Sequence, residues 1–322
     1  MSTDSVAKDR SVINRIRTSS RTIFPFIGLV LMYSVFALLT KGKFTTLNNL
    51  MILFNQTSAI IIAGVGVSFV ISTGGLDFSS GSLVALSAAC GALTMRVTDN
   101  LPLSFAVIII FAGAAGLFNG FCVTRLRVPS FIMTISMLFM FRGLTIAVCA
   151  GGSIPLPLWT RSLDTTALKA SVLLIVVGFL YYLFTYTKFG VYCRAIGSGE
   201  IAARFAGVPV RKVKMFVFVI SGVCAGIASI ILLLRTGSVS TRFAQLLEVE
   251  ILTALVLGGM PLTGGSGSKM RSIIIGGFIV TGMKDGLLQM GATDKILQLF
   301  MGALFLIAVA LSFDRKSSVV IK

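Results

Sequence analysis

Long apolar runs alternate with short polar and basic stretches along this chain. A helix crossing a bilayer needs about 20 predominantly apolar residues. Ten runs are candidates: 23–40, 50–71, 81–98, 101–124, 130–150, 170–187, 213–234, 249–263, 270–288 and 293–312. The eighth is the shortest and ends in glycines. Lipid leaves no water to satisfy an open backbone, so runs of this length are helical. The pattern predicts an all-α, polytopic integral membrane protein with about ten transmembrane helices. A basic N-terminal tail covers 1–22, a single transmembrane domain 23–313 and a short C-terminal tail 314–322.

One stretch breaks the pattern. Tyr192–Lys214, YCRAIGSGEIAARFAGVPVRKVK, is too basic and too weakly hydrophobic for lipid. Within it, Glu200–Gly207 reads as one short helix. Ile201 and Phe205 stand four apart and share a face, and Glu200 and Arg204 are spaced to brace the turn. Ser198 is the expected cap, and Gly207 followed by Pro209 the stop. With Gly199, Ala202 and Ala203 around an aromatic, such a helix on a membrane protein's surface is a docking knob.

Composition sharpens the class. The chain of 322 residues is 56% hydrophobic and only 12% charged, whereas soluble domains carry about 25% charge. The net charge of +17 does not indicate nucleic acid, because the basic residues punctuate apolar runs instead of gathering on one face. Membrane lipid is the surface they serve. With the N-terminus inside, eighteen lysines and arginines fall on inner segments and nine on outer ones, with the densest group at 188–214. By the positive-inside rule, both termini are expected in the cytoplasm. No cleavable signal is expected in the polar first twenty residues. The longest outer loops, 151–169 and 235–248, are too short to fold alone. Five cysteines without C-x-x-C spacing and no histidine leave no metal site, no cofactor and no imidazole catalysis to expect. No G-x-x-x-x-G-K-[ST] phosphate loop occurs, and Gly264–Lys269 fails its spacing. Any ATP-driven step must borrow its engine.

Several polar groups interrupt the apolar runs, each with two readings. Thr73–Ser82, TGGLDFSSGS, is either a tight turn with Asp77 or Ser79 capping the next helix, or a broken helix whose backbone lines a water-filled path. A second break, Gly258–Ser268, GGMPLTGGSGS, completes a pair of the kind that marks transporter pathways. Arg142 lies about 18 Å along the fifth run at 1.5 Å per residue; it is functional or snorkels outward. Asn55, Gln56 and Asn119 bond neighbouring helices or a polar solute. Glu248 and Glu250 open the eighth run, where they pair with Arg235 and Arg242 at the surface or offer an external partner a face. Gly113, Gly116, Gly120, Gly222, Gly226, Gly276 and Gly277 permit close helix packing.

These motifs together resemble the permease subunits of bacterial ABC importers for simple sugars, the ribose/xylose/arabinose/galactoside type. Gly74–Ser82 matches that family's GG-(I/L)-D-(L/F)-S-x-G-S. Pro129–Ile132 with Arg142-Gly143 matches as well, as does Ala195–Lys214 against AIG-(S/G)-N-E-x-A-A-R-x-x-G-(I/V)-x-V-x-x-x-K. Glu248–Gly265 follows E-L-D…V-x-GG-x-x-L-x-GG. The likeness runs over roughly 23–313, with Gly199 where the family has Asn and Glu250 where it has Asp. The resemblance implies two permease copies (identical or sister chains) in the bacterial cytoplasmic (inner) membrane. ATP-binding subunits would dock on the coupling segment 188–212, through Ser198, Gly199, Glu200, Ala202, Ala203, Arg204, Phe205 and Gly207. An extracytoplasmic sugar-binding protein would dock outside, near Arg242, Glu248 and Glu250. Solute would pass by Asn55, Gln56, Asp77, Ser79, Asn119 and Arg142. The rival cargoes are nucleosides, branched-chain amino acids or a furanosyl signal molecule. A secondary carrier would want intramembrane carboxylates, and Asp77 and Asp285 read as edge-placed; an intramembrane protease is a weaker reading still, since Gly75-Leu76-Asp77 lacks the G-x-G-D spacing.

Overall fold

The structure, a computed structural model, describes residues 25–312; both expected tails lie outside the described residues. Helix α1 spans Pro25–Leu39, α2 Leu47–Ser72, α3 Ser80–Thr98, α4 Leu101–Arg125 and α5 Ser130–Cys149. After a short strand β1 (Ser153–Pro155) come α6 (Thr166–Tyr186), α7 (Lys188–Ser198), α8 (Glu200–Phe205) and α9 (Val210–Thr236). Strand β2 (Ser238–Ser240), α10 (Leu247–Leu257), α11 (Arg271–Gln289) and α12 (Asp294–Ser312) complete the described chain. Six of these helices, α2 to α6 and α9, are long and apolar enough to cross a membrane, and α1 is a shorter apolar helix.

Starts and stops follow local chemistry. Asn100 accepts the Leu103 N–H at 2.9 Å to open α4, with Pro102 in its first turn, and Thr165 accepts from Leu168 to open α6. The most consequential stops are two glycines. At the end of α2, Gly74 (φ +79°) donates to Ile71 O and Gly75 donates to Val70 O. At the end of α10, Gly259 (φ +89°) donates to Val256 O and Met260 to Leu255 O. Both are Schellman closures that need a residue in the left-handed region, so the two breaks begin with the same device. The second break shortens the expected run at 249–263: α10 ends at Leu257, the N–H groups of Gly258, Gly259 and Met260 close its last turn, and from Pro261 the chain leaves the helix.

Helices α2 and α9 form the centre, with Phe69, Val67 and Val217 fully buried, and α3 packs beside them. Small residues set the closest approaches. A Cβ on Gly116 of α4 would strike the α9 backbone at Phe218, and one on Gly222 of α9 would strike α4 at Ala112. Gly258 and Gly276 likewise leave no room for a side chain between α10 and α11. At one end of the bundle β1 and β2 pair antiparallel, with Ile154 opposite Val239. The segments that follow α5 and α9 are thereby stitched to each other.

Candidate functional site

The α8 end of the bundle carries the knob. Ile201 and Phe205 stand clear of the protein, 74% and 89% exposed. Their helix is held from behind: Glu200 pairs with Arg204 at 3.5 Å and with Lys214, in the first turn of α9, at 2.6 Å. Ala203 points the other way and is buried, so it seats the knob and is not part of its outer face. Gly207 (φ +80°) ends the helix through the Gly207 N–H to Arg204 O and Val208 N–H to Ala203 O. Ser198 does not cap α8. It closes α7, donating to Arg194 O at 2.9 Å and accepting the Ser266 N–H at 3.0 Å, because α7 packs against the turn at 265–267. Helix α7 itself was not anticipated; its apolar side, Cys193 and Ile196, is buried. Burial pushes the Cys193 thiol up to about 12, which keeps it a neutral packing group.

Both broken stretches meet the knob's neighbour. Gly197 of α7 lies so close to Ser72 O and Gly265 N that no Cβ fits, and Gly264 is equally tight on Ile71 O. Gly74 faces Thr263 and Gly197. Thus α7, the end of α2 and the second break share one junction built from backbone.

From there the first break climbs into the bundle. Asp77 is buried, its Oδ1 accepting the Ser79 N–H (3.0 Å) and Ser79 Oγ–H (2.7 Å), its Oδ2 accepting the Ser221 Oγ–H at 2.7 Å. Ser221 stands eleven residues into α9, about 16 Å along its axis. Asn119 Nδ2 donates to Ser79 Oγ at 3.0 Å. Asp77 takes up the backbone N–H of Ser79, the residue that opens α3, and the Ser79 side chain caps no helix N–H; that start lies inside the bundle. Asp77 is thus enclosed by the bundle, and Asp285, four residues from the end of α11, is buried too, held by Asn49 Nδ2 (2.9 Å) and Gln289 Nε2 (2.8 Å).

At the same depth the starts of α3 and α10 face each other. Gly81 packs directly on Glu248, with no space for a side chain between them. Arg142 closes the junction: its guanidinium donates to Phe243 O (2.7 Å), to Ala244 O and to Glu248 Oε2 (3.3 Å). Its side chain is 18% exposed, so it clamps the segment entering α10 and does not snorkel. Two helix N-termini, each with unsatisfied N–H groups and a partial positive charge, thus meet beside buried carboxylates.

The acidic pair departs from expectation. Glu248 and Glu250 are buried and bonded to Arg142 and to Lys284 of α11 (2.6 Å), not to Arg235 and Arg242. Of the three residues expected to meet an external partner, Arg242 alone is exposed. Asn55 Nδ2 donates to Thr166 Oγ1 at 3.2 Å, tying α2 to α6. Gln56 lines a cavity toward the β1–β2 end, together with Arg242 and Glu250. Sequence reasoning missed Ser221, Lys214 and Lys284; no spacing rule links Ser221 to a carboxylate 144 residues away.

The chain is similar over most of its length to known import permeases. The ribose import permease protein RbsC of Escherichia coli (strain K12) is 30% identical over 294 residues, covering 88% of this chain and 91% of that protein. The fructose import permease protein FrcC of Rhizobium meliloti is 30% identical over 330 residues, covering 95% and 89%. The D-allose transport system permease protein AlsC of Escherichia coli (strain K12) is 30% identical over 298 residues, covering 89% and 90%. No solved structure matches the chain. The family model described as branched-chain amino acid transport system / permease component matches residues 49–309, and the chain belongs to that family of membrane transport permeases.

Proposed function

We propose that this chain is the membrane-spanning subunit of an ATP-driven importer, passing a monosaccharide from an extracytoplasmic binding protein to the cytoplasm of a bacterium. The observation that carries the reading is the knob: an exposed Phe205 and Ile201 on a two-turn helix braced against α9. Large exposed apolar side chains on a surface helix mark a partner site, and the chain has no phosphate loop of its own. The ATP-binding subunits sit on this face; α1 to α6, α9, α11 and α12 cross the inner membrane, the short α10 together with the break after it completes the tenth crossing, and both termini are cytoplasmic. The pore is completed by a second permease copy. Outside, Arg242 meets the binding protein. The sugar cargo is supported by the relatives, whose names specify ribose, fructose and allose. The family description favours branched-chain amino acids, the competing cargo.

The geometry supplies a route for force. Motion imposed on α8 reaches α9 through Glu200–Lys214 and reaches the second break through Ser198–Ser266. Helix α9 holds the first break through Ser221–Asp77. Both interrupted segments therefore move with the knob, and with them the apposed starts of α3 and α10. This chain makes and breaks no bond in its cargo. Reconstitution of the complete transporter in proteoliposomes tests the reading: radiolabelled ribose, arabinose, fructose or allose should accumulate only with ATP and the binding protein. Accumulation of leucine alone, or sugar uptake by this chain without an ATPase, would refute it.

A further inference from the structure

We propose that the recess between the α4–α5 turn, α8 and the start of α9 is a binding site for a phosphate group, carried by a small phosphate monoester or by a lipid headgroup. The proposal goes beyond the importer reading and does not depend on the cargo. The recess measures about 480 Å³, within the usual range for small-molecule sites of about 300–1,000 Å³. Val210 and Phe218 of α9 both line it, so it runs about 12 Å along that helix at 1.5 Å per residue.

Its charge is lopsided. Arg127, Arg204, Arg211 and Lys214 line it, against one carboxylate among the described residues, Glu200. Glu200 already answers two of the four, Arg204 at 3.5 Å and Lys214 at 2.6 Å. Neither Arg127 nor Arg211 pairs with a carboxylate among the described residues. The positive-inside rule accounts for basic residues at this end of the bundle. It asks only that they reach water, not that four of them converge on one recess from the α4–α5 turn, α8 and α9. A cleft lined by one sign of charge concentrates the opposite ion.

The walls add neutral donors of the kind phosphate oxygens accept from. Helix α5 begins at Ser130 and α9 at Val210, both on the recess, and neither start has a side-chain cap. Their first N–H groups are left for an outside acceptor. Ser130 Oγ accepts the Leu76 N–H at 3.2 Å and donates to no described residue. A phosphate monoester carries a charge of about −1.5 to −2 and three acceptor oxygens, which answers both unpaired guanidiniums. A carboxylate would leave one over, and a neutral sugar needs neither.

Occupation is felt at the knob. A phosphate here competes with Glu200 for Arg204 and Lys214, the two contacts that brace α8. Exposed ion pairs are weak, so the guest can take them.

The test uses the full chain in phosphatidylcholine nanodiscs, without ATP-binding subunits and hence without their phosphate sites. Val128→Cys, half-buried on the recess wall, is the reporter for N-ethylmaleimide, and the unsubstituted chain is the blank. Inorganic phosphate and ribose 5-phosphate should each slow labelling at least about fivefold. Ribose, and sodium chloride at matched ionic strength, should not. Arg127→Gln and Arg211→Gln should each raise the concentration for half-protection about three- to tenfold, with an unchanged thermal midpoint. Glu200→Gln removes the competitor and should lower it about threefold. Slow labelling in nanodiscs that contain phosphatidic acid or phosphatidylglycerol, with no further slowing by free phosphate, assigns the phosphate group to a lipid. Protection by neither source, or equal protection by chloride, overturns the site. Protection that both arginine variants leave unchanged overturns it as well. Half-protection unmoved by Glu200→Gln overturns the competition at the knob. The importer reading stands or falls separately, on the uptake assay.

Discussion

The knob at α8 and the junction at Gly81, Glu248 and Arg142 solve opposite problems. The knob leaves Phe205 almost wholly exposed and braces its helix with surface ion pairs, which are worth about 0–1 kcal/mol. The junction hides a carboxylate and answers it with a guanidinium and apposed helix starts, where an unpaired charge is costly. A surface that another protein must grip can be cheap for the fold to hold; a break in two helices inside the bundle cannot. Substitutions at the two places should therefore fail in different ways.

The largest effect is expected at Arg142. Arg142→Ala strands Glu248 and two carbonyls, and should destabilise the purified protein by about 3–5 kcal/mol, read as a fall in the thermal unfolding midpoint in detergent. Adding Glu248→Gln should recover part of that loss, and no recovery would mean that the pair is not what holds the junction. Gly81→Ala comes next. Its new Cβ would lie 2.5 Å from Glu248 N, and overpacking of this kind costs about 1–3 kcal/mol. Its signature is a loss of transport that accompanies the loss of stability. The smallest structural effect belongs to the knob: Phe205→Ala should change stability by less than about 0.5 kcal/mol. It should nevertheless weaken co-purification with the ATP-binding subunit about thirtyfold, the loss of a hot-spot residue worth about 2 kcal/mol. Destabilisation by Phe205→Ala comparable with that of Gly81→Ala would erase the contrast.

Legibility in the sequence follows the range of the interaction. The helices over the ten apolar runs, the Glu200–Arg204 brace and the outward pair Ile201 and Phe205 are set by neighbours within one or two turns, and spacing alone exposes them. Gly74 and Gly259 were visible as breaks for the same reason, since a Schellman stop is written in a few adjacent residues. The partners of Glu248 and Glu250 were not visible. Arg235 and Arg242 are nearer in the chain, yet Arg142 and Lys284 hold the carboxylates, because the long Arg142 side chain reaches from α5 to the start of α10 and α11 packs along α10. Ser198 was misassigned on the same ground: a serine before a helix is a local cap signal, but the turn at 265–267 took its hydroxyl.

Hydropathy and charge order by themselves determined that this chain is a helical membrane protein with a polar, knobbed segment between apolar runs, because lipid requires a self-bonded backbone, which in continuous apolar runs of about 20 residues is a helix. Only the tertiary structure decided that the two glycine breaks share a backbone junction with α7, that α3 and α10 begin face to face, and that Arg142 and Lys284 hold the buried carboxylates. Those are relations between residues far apart in the chain, and apolar packing with small-residue contacts, not any local propensity, brings them together.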